Sequence, residues 1–331
     1  MRANVHDDPD AFSALVPRWR AVLGADPAAS VFHTPQYLST WWSEFGAGVR
    51  PRIVELTNEA GDPTGVAPLA VHPDGVMRFA GDHDTTDYRG PISAPEDRDA
   101  VATSTIEAAA RDDWRAFEMD NLASDTGWPE AFSRAAKAAG YAVIEERGVD
   151  NCPRVPIPGS YDAYLQALPG KLRHEIRRKG RRLARDAGPY AIRLSTEHTL
   201  DDDLDLFFAM HRSSDGPKGR FMHPGRATFF GSFAWMLFSQ GWLRIALLEI
   251  DGEAWAGCYA YSFRGVWGVW NSAYDHRRRE LAPGMVLMSE CIRLAAEEGC
   301  VTFDFLRGTE PYKYRFGATD VPLVRLMAER A

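Results

Sequence analysis

The chain has 331 residues, of which 45% are hydrophobic and 25% charged, and its formal net charge is -8. This composition excludes an intrinsically disordered protein and leaves room for two ordinary domains. The acidic balance argues against general nucleic-acid affinity, because the field of the whole molecule repels phosphate. We therefore expect any anion site to be a local basic patch.

The N-terminal residues carry neither the apolar core of a signal peptide nor an Arg-rich amphipathic pattern, and no stretch reaches 18 uninterrupted apolar residues. The sequence therefore predicts a cytoplasmic protein without a transmembrane segment. No Cys-x-x-Cys pair is present, so we expect buried, reduced thiols at Cys152, Cys258, Cys291 and Cys300.

Two parts of the chain repeat one order of elements: strand, turn, strand, strand, helix, strand. In the first half the predicted elements include strands at 52–56 and 65–71, a helix at about 98–110 and a strand at 114–119. In the second half they are strands at 244–250, 255–261 and 266–270, a helix, and a strand at 301–305. The offset stays near roughly 190 residues, which predicts two similar α/β domains. The alternative is that any two α/β halves look alike at this resolution.

Glycine and proline mark the other elements of the second half. Pro283 and Gly284 open its helix and Gly299 ends it, while four residues form one apolar face: Met285, Met288, Ile292 and Ala295. A basic helix at 171–185 is interpreted as the connector between the halves. The polar, Gly-rich stretch 211–225 is predicted to be a loop of the kind that forms a lid.

The segment between Tyr274 and Leu287 is typical of a pyrophosphate-binding turn. A strand ends, three arginines follow, and the helix begins at Pro283, so free backbone N–H groups and the positive end of a helix dipole share one space. The candidate phosphate contacts are Arg277, Arg278, Arg279, Ala282, Gly284 and Met285. The alternative is an ordinary connection with a solvated arginine run.

Charged residues crowd the turn after the strand at 301–305. Asp304 or Glu310 is a candidate proton acceptor, and Tyr312 or Lys313 is a candidate to stabilise charge on a carbonyl or thiolate. Arg307 in the same turn is a candidate substrate contact. A purely structural ion-pair network remains the alternative.

Three further places offer polar side chains to a ligand. His211, before the Gly-rich loop, is a candidate general base, although a lone histidine at a helix end more often caps or packs. The loop after Gly81 matches no metal-ligand spacing, so we interpret Asp87, Tyr88 and Arg89 as acceptor-binding residues or as part of a loop of Asx turns. On the basic helix, Lys171 and Arg173 are candidates to contact a phosphate-bearing acceptor or a nucleic-acid backbone, and a solvated face is the alternative.

Taken together, these motifs make the chain resemble the GNAT acyltransferases of the Fem-type peptide-bridge transferases and the CelD-type proteins of polysaccharide biosynthesis. The segments that carry the resemblance are 281–287, 303–313, the connector 171–179, the early residues 31–37 and the Thr86-Asp87-Tyr88 element. The similarity spans nearly the whole chain.

The resemblance implies an α/β fold of two GNAT-like domains, each a mixed, mostly antiparallel twisted sheet flanked by helices. Residues 1–165 would form the first domain, completed by a returning C-terminal strand within 318–331, and residues 166–317 would form the second, with the donor site. The acceptor would lie between the two halves.

The leading hypothesis is an N- or O-acyltransferase that uses acyl-CoA, with acetyl-CoA as the expected donor and without a metal. Its acceptor would be a small molecule, a saccharide or a peptide, and backbone N–H groups near Trp270 and Asn271 would stabilise the oxyanion. Since Fem-type relatives take aminoacyl-tRNA, an aminoacyl-tRNA-dependent transferase is the second hypothesis. A non-catalytic binding protein with the same fold is the third.

Overall fold

The structure is a computed structural model that describes residues 1–8, 11–214 and 216–329. Its strands are β1 (Arg2–His6), β2 (Arg50–Thr57), β3 (Pro63–Val71), β4 (Val76–Phe79), β5 (Ile92–Ser93), β6 (Ala116–Ala123), β7 (Ala142–Pro156), β8 (Ala191–Leu194), β9 (Leu243–Ile250), β10 (Glu253–Phe263), β11 (Val266–Tyr274), β12 (Thr302–Asp304) and β13 (Thr319–Glu329). Its α-helices are α1 (Ala11–Ala25), α2 (Pro35–Phe45), α3 (Arg98–Ala109), α4 (Trp128–Ala138), α5 (Tyr161–Ala167), α6 (Gly170–Ala187), α7 (Leu200–Arg212), α8 (Pro217–Phe221), α9 (Pro224–Ser239) and α10 (Pro283–Glu297).

The chain forms two compact units. Unit 1 contains residues 1–151 and 321–331, and unit 2 contains residues 152–320. The sequence analysis placed the boundary at residue 165, whereas the structure assigns residues 152–165 to unit 2. The reason is that the end of β7 pairs with β12, for example Val155 with Phe303.

The sheet of unit 1 has the strand order β1-β2-β3-β4-β6-β13, with the short β5 beside β3. The pair β4 and β6 is parallel, while the other registered pairs, including β13 with β6, are antiparallel. On one face, Phe117 and Met119 of β6 enter a core with α3 and α4. Strand side chains alternate, so Glu118 and Asp120 lie on the other face.

Unit 2 repeats this plan. Its order from the end of β7 is β7-β12-β11-β10-β9-β8, and β11 with β12 is its parallel pair. The helix α10 connects the two parallel strands, as α3 connects β4 to β6. The predicted repeat of a mixed, mostly antiparallel sheet with flanking helices is therefore confirmed.

Helix α10 follows the predicted pattern. Proline occupies its first position, Met288, Ile292 and Ala295 are buried, and Gly299 follows its end with a positive φ of 77°. A glycine fits that left-handed conformation at little cost. The face of α10 packs in one core with strand residues such as Trp267 and with Ile176 and Leu183 of the basic helix α6.

The predicted lid is wrong over most of its length. Residues 217–221 and 224–239 are helical, as α8 and α9, and Phe229, Phe230 and Phe233 are buried. The apolar spacing of α9 outweighs the local glycines, because burial of one helical face stabilises the helix more than Gly225 weakens it. Asp215, which belongs to the same predicted loop, lies outside the described residues.

The four cysteines are buried, as predicted. Among the described residues, no helix has both the length and the apolar character that crossing a bilayer requires. The described side chains likewise contain no cluster of three or more metal-ligating residues.

Candidate active site

The central feature of unit 2 is a bulge in β11. Tyr259 of β10 pairs with Asn271 and Ala260 pairs with Val269, so Trp270 is an extra residue in the ladder. On its other side, β11 pairs with β12 only as far as Gly268 opposite Asp304, whereas β11 itself continues to Tyr274. The backbone after Gly268 has therefore separated from its parallel neighbour, at the position where bulges often re-aim functional groups.

The bulge changes which face the side chains occupy. Val269 lies in the core beside α10, whereas Trp270 packs against Phe233 with ring centroids 4.3 Å apart. Asn271 lies on the same face as Trp270, because its side-chain oxygen is 3.2 Å from Nε2 of His211 in α7. Two consecutive side chains thus point to one face, and the bulge brings together three of the predicted site residues.

Tyr312 approaches β11 from the opposite side. Its hydroxyl hydrogen-bonds the side chain of Ser272, the residue after Asn271, and its ring lies 6.0 Å from that of Phe305. Burial, with the nearby Glu310 carboxylate, raises the pKa of Tyr312 well above its usual value. The phenol therefore keeps its proton at neutral pH and is able to donate a hydrogen bond.

The N-terminus of α10 lies next to the end of β11. A Cβ atom on Gly284 would lie 3.3 Å from the ring of Tyr274, which is closer than a normal contact, so a side chain here would displace the tyrosine. Ala282 precedes the helix in a left-handed conformation, and Met285 N–H donates to its carbonyl at 3.0 Å. The first turn of α10 holds no acidic residue. Because the dipole adds positive potential, this end suits an anion.

The three predicted phosphate-binding arginines differ in what they contact. Arg277 forms two-pronged hydrogen bonds to Asp275 of 2.8 to 3.1 Å, and Arg278 stacks 4.4 Å from the centre of the Trp255 ring. Arg279 is exposed, and the described structure gives it no ion-pair partner. Of the three, Arg279 has the side chain most available to a phosphate.

Asp304 is held by two partners. Arg154 Nε lies 3.0 Å from one carboxylate oxygen, and the backbone N–H of Leu306 lies 2.7 Å from the other. The side chain is 3% exposed. Both carboxylate oxygens therefore already have hydrogen-bond partners within the protein. The geometry thus favours the structural alternative for Asp304.

Lys313 stabilises the loop that follows β12. Its side chain is 3% exposed, and its Nζ donates to the carbonyls of Leu306, Arg307 and Gly308 at 2.9 to 3.2 Å. The exposed Glu310 accepts from the same Nζ at 2.9 Å. All the protons of the ammonium group are therefore occupied inside the loop, and Glu310 points to solvent.

The predicted acceptor-binding residues of unit 1 are buried. Asp87, Tyr88 and Arg89 are each no more than 5% exposed. Arg89 forms an ion pair with Asp120, and of the three it alone lines a cavity of about 420 Å³. The loop before them is built around Asp82, whose carboxylate accepts the backbone N–H groups of Asp84 and Thr85, as the Asx-turn alternative predicts.

On α6, the two predicted contacts also differ. Lys171 is exposed, whereas Arg173 donates to the carbonyl of Gln166 at 3.3 Å. The sequence reasoning did not single out Arg154, Ser272 or Tyr274. The only sequence signal for this region is the alternation of small and aromatic residues in β11, which indicates that the second half of the strand differs from an ordinary strand.

Comparison with known proteins agrees with this architecture. Residues 170–314 match the family model described as the acetyltransferase (GNAT) domain. The crystal structure of FemX superimposes with a TM-score of 0.67 at 14% identity, covering 98% of this chain and 97% of that one. The chain has the tandem GNAT fold.

Two further solved structures share the tandem GNAT fold. The structure of L-PGS from Bacillus licheniformis gives a TM-score of 0.58 at 12% identity, covering 99% of this chain and 94% of that one. A tandem GNAT protein from the clavulanic acid biosynthesis pathway gives 0.54 at 12% identity, with coverages of 99% and 98%. No curated protein matches the chain in sequence. At these identities the likeness establishes the fold and not a substrate.

Proposed function

We propose that the protein is an acyltransferase that moves an acyl group from acyl-CoA to an amine or hydroxyl of an acceptor. The observation that carries this proposal is the meeting of the β11 bulge with the acid-free N-terminus of α10. Both lie inside the segment that matches the acetyltransferase domain. GNAT domains use acyl-CoA, and the first turn of α10 suits its pyrophosphate.

The donor would be held by backbone groups at two points. The N–H group of Gly284, with the Arg279 side chain and the positive end of the α10 dipole, would bind the pyrophosphate. The N–H groups of Trp270 and Asn271 would donate to the thioester oxygen, on which negative charge develops during attack. Fixing donor and acceptor together removes much of the entropic cost of their encounter.

The chemical step follows from the side chains around the bulge. The acceptor nitrogen or oxygen attacks the thioester carbon and loses its proton to His211, directly or through one water. The carbon–sulfur bond then breaks, and the Tyr312 hydroxyl donates a hydrogen bond to the departing thiolate, which takes up a proton from water. The products are the acylated acceptor and the free thiol of CoA. His211 is preferred to Asp304 and Glu310 because both carboxylates are engaged by cations.

Two experiments test this assignment. Isothermal titration should give a micromolar dissociation constant for acetyl-CoA, whereas absence of binding by any acyl-CoA would refute the donor. The variant His211→Gln should lower kcat about 100-fold and remove the acidic limb of the pH–rate profile. An unchanged profile would exclude His211 as the base.

The second candidate is an aminoacyl-tRNA-dependent transferase. It is favoured by the exposed side chains of Arg177, Arg178 and Arg181 on α6, for which the described residues supply no carboxylate partner. The similar structures include FemX, L-PGS and the C-terminal domain of a putative lysylphosphatidylglycerol synthetase. Tight binding of charged tRNA that weakens steeply with salt, together with no binding of acyl-CoA, would establish this candidate instead.

A further inference from the structure

The cavity of unit 1 lies on the sheet face opposite the core. It has a volume of about 420 Å³ and is lined by residues of β4, β6, β7 and β13 and of two loops: His72, Arg78, Gly81, Asp82, His83, Arg89, Glu118, Asp120, Asn121, Val149 and Arg325. This volume is in the range of pockets that bind small molecules.

Local irregularity of the strands places charged groups around this space. Val324 pairs with Leu122 and Leu326 with Met119, so the regular ladder is interrupted between Asp120 and Asn121, opposite Arg325. Asn121 has a positive φ of 51°, although it is not a glycine. Such an interruption commonly re-aims side chains beside a functional site.

The charges that line the cavity balance. The three guanidinium groups are each paired with a carboxylate: Arg78 and Arg325 contact Glu118, and Arg89 contacts Asp120. Burial and the adjacent Arg78 lower the pKa of His72, which is therefore neutral at pH 7. A ligand with a full charge would find no unpaired charge of opposite sign in this lining. The free-energy cost of its desolvation would therefore exceed the electrostatic stabilisation that the cavity offers.

Buried polar atoms of the lining still require hydrogen bonds. Oδ1 of Asp120 and Nε2 of His72 have no partner among the described residues. Buried polar atoms are nearly always satisfied, so their position on a cavity indicates a group that fits between them. A hydroxyl group both donates and accepts, and is therefore matched to a wall on which carboxylate oxygens and guanidinium N–H groups alternate.

We propose that this cavity is a binding site for a neutral, hydroxyl-rich small molecule such as a sugar. Ligand hydroxyls donate to Asp120 and exchange hydrogen bonds with His72, while the edges of Arg78 and Arg89 supply donors. The site lies wholly within unit 1 and does not depend on the acyltransferase proposal. Donor binding and sugar binding are measured separately, so either proposal fails without the other.

The test uses three sugars of one shape and different charge. Binding of methyl glucoside, glucuronate and glucosamine to the full-length protein is measured by saturation-transfer NMR without any acyl donor. We expect methyl glucoside to bind at least 10-fold more tightly than either charged sugar. No binding of methyl glucoside, or tighter binding of a charged sugar, would overturn the proposal.

Variants locate the binding. Val149 is 46% exposed at the cavity, so Val149→Trp should block the space without disturbing the core, and methyl glucoside binding should be lost. Unchanged binding in this variant would rule out the cavity.

Asp120→Asn removes one negative charge from the lining and should shift the binding preference at least 10-fold toward glucuronate. The matched control is Asp74→Asn, which likewise removes the charge of a carboxylate paired with a lining arginine, here Arg78, but lies outside the lining and should leave preference unchanged.

Discussion

Among the described residues, two pairs of strands are parallel, β4 with β6 and β11 with β12, and a helix connects the strands of each pair. The two helices differ in the charge at their N-termini. In unit 1, β4 leads to α3 through residues 80–97, and Asp97 and Asp99 lie at the start of that helix. In unit 2, β11 leads to α10 through residues 275–282, and no acidic residue occupies the first turn. Both helices offer free N–H groups, but only the second leaves their positive potential uncompensated. The fold therefore repeats in both units, but the helix N-terminus without acidic residues occurs only at α10 of these two helices.

Loops beside the two pairs are also held differently. In unit 1, the side-chain amide of Asn121, within β6, donates to the carbonyl of Thr86 in the loop after β4 at 2.8 Å, which is a neutral hydrogen bond. After β12, the buried Lys313 ammonium serves three carbonyls and a carboxylate. The second loop thus depends on a single charged side chain, and its geometry fixes where Tyr312 lies.

The largest effect is expected from removing that charge. Lys313→Ala leaves the buried carbonyls of the loop without their donor and should lower the free energy of unfolding by about 3 kcal/mol. Chemical denaturation measures this directly. The exposed Lys171→Ala is the matched control and should be neutral. A Lys313→Ala protein of full stability but no activity would restore the catalytic role predicted from the sequence.

Tyr312 offers a sharper separation of chemistry from structure. Tyr312→Phe keeps the ring against Phe305 and removes only the hydroxyl that would hydrogen-bond the departing thiolate, so kcat should fall about 100-fold while the KM for the donor stays within twofold. Steady-state kinetics with acetyl-CoA tests this. Ser272→Ala, which removes the partner of the hydroxyl, should cost less. Equal loss in both variants would indicate that the hydroxyl acts only through its hydrogen bond to Ser272.

The electrostatic difference between α3 and α10 can be tested by placing an acidic residue in the first turn of α10. Met285→Glu puts a carboxylate in the first turn of α10, where it should stabilise the helix by a few tenths of a kcal/mol up to about 1 kcal/mol. The same carboxylate should repel pyrophosphate and raise the KM for acyl-CoA about 30-fold. The control is Met285→Gln, of similar shape and without charge. A donor KM that is insensitive to the charge would mean that the two helix ends do not differ in function.

The smallest effect is expected at the arginine run. Arg279→Ala should raise the donor KM about fivefold, less so at high salt, because an exposed contact to phosphate is screened. Arg277→Ala should change it little, because Asp275 already neutralises Arg277. Donor titrations at low and high salt compare the two variants. Equal effects would show that the pairing with Asp275 is broken when donor binds.

The sequence predicted the elements whose signals are local. The apolar face and the proline and glycine boundaries of α10 identified that helix, and the order of strands in both halves predicted the repeated sheet. The lid prediction failed at α8 and at the start of α9, since the glycines within 211–225 suggested a loop, whereas burial of three phenylalanines stabilises α9 as a helix. Tertiary packing overrode the local preference there.

The residue types of the candidate site could be predicted from the sequence, but their arrangement in space could not. The crowding of charges after β12 indicated an important turn, but the partner of Asp304 is Arg154, which lies 150 positions earlier in the chain. No local sequence pattern predicts the ion pair between Arg154 and Asp304. The bulge at Trp270 is set by how β10 and β11 register, so the neighbourhood of Asn271 and His211 emerged only in the fold.

The most direct test of the central claim is a crystal structure of the protein with acetyl-CoA. The account predicts the pyrophosphate within hydrogen-bond distance of the backbone N–H group of Gly284, and the thioester beside Trp270 and Asn271. Acetyl-CoA bound instead at the start of α3, or bound with its phosphates away from α10, would contradict it.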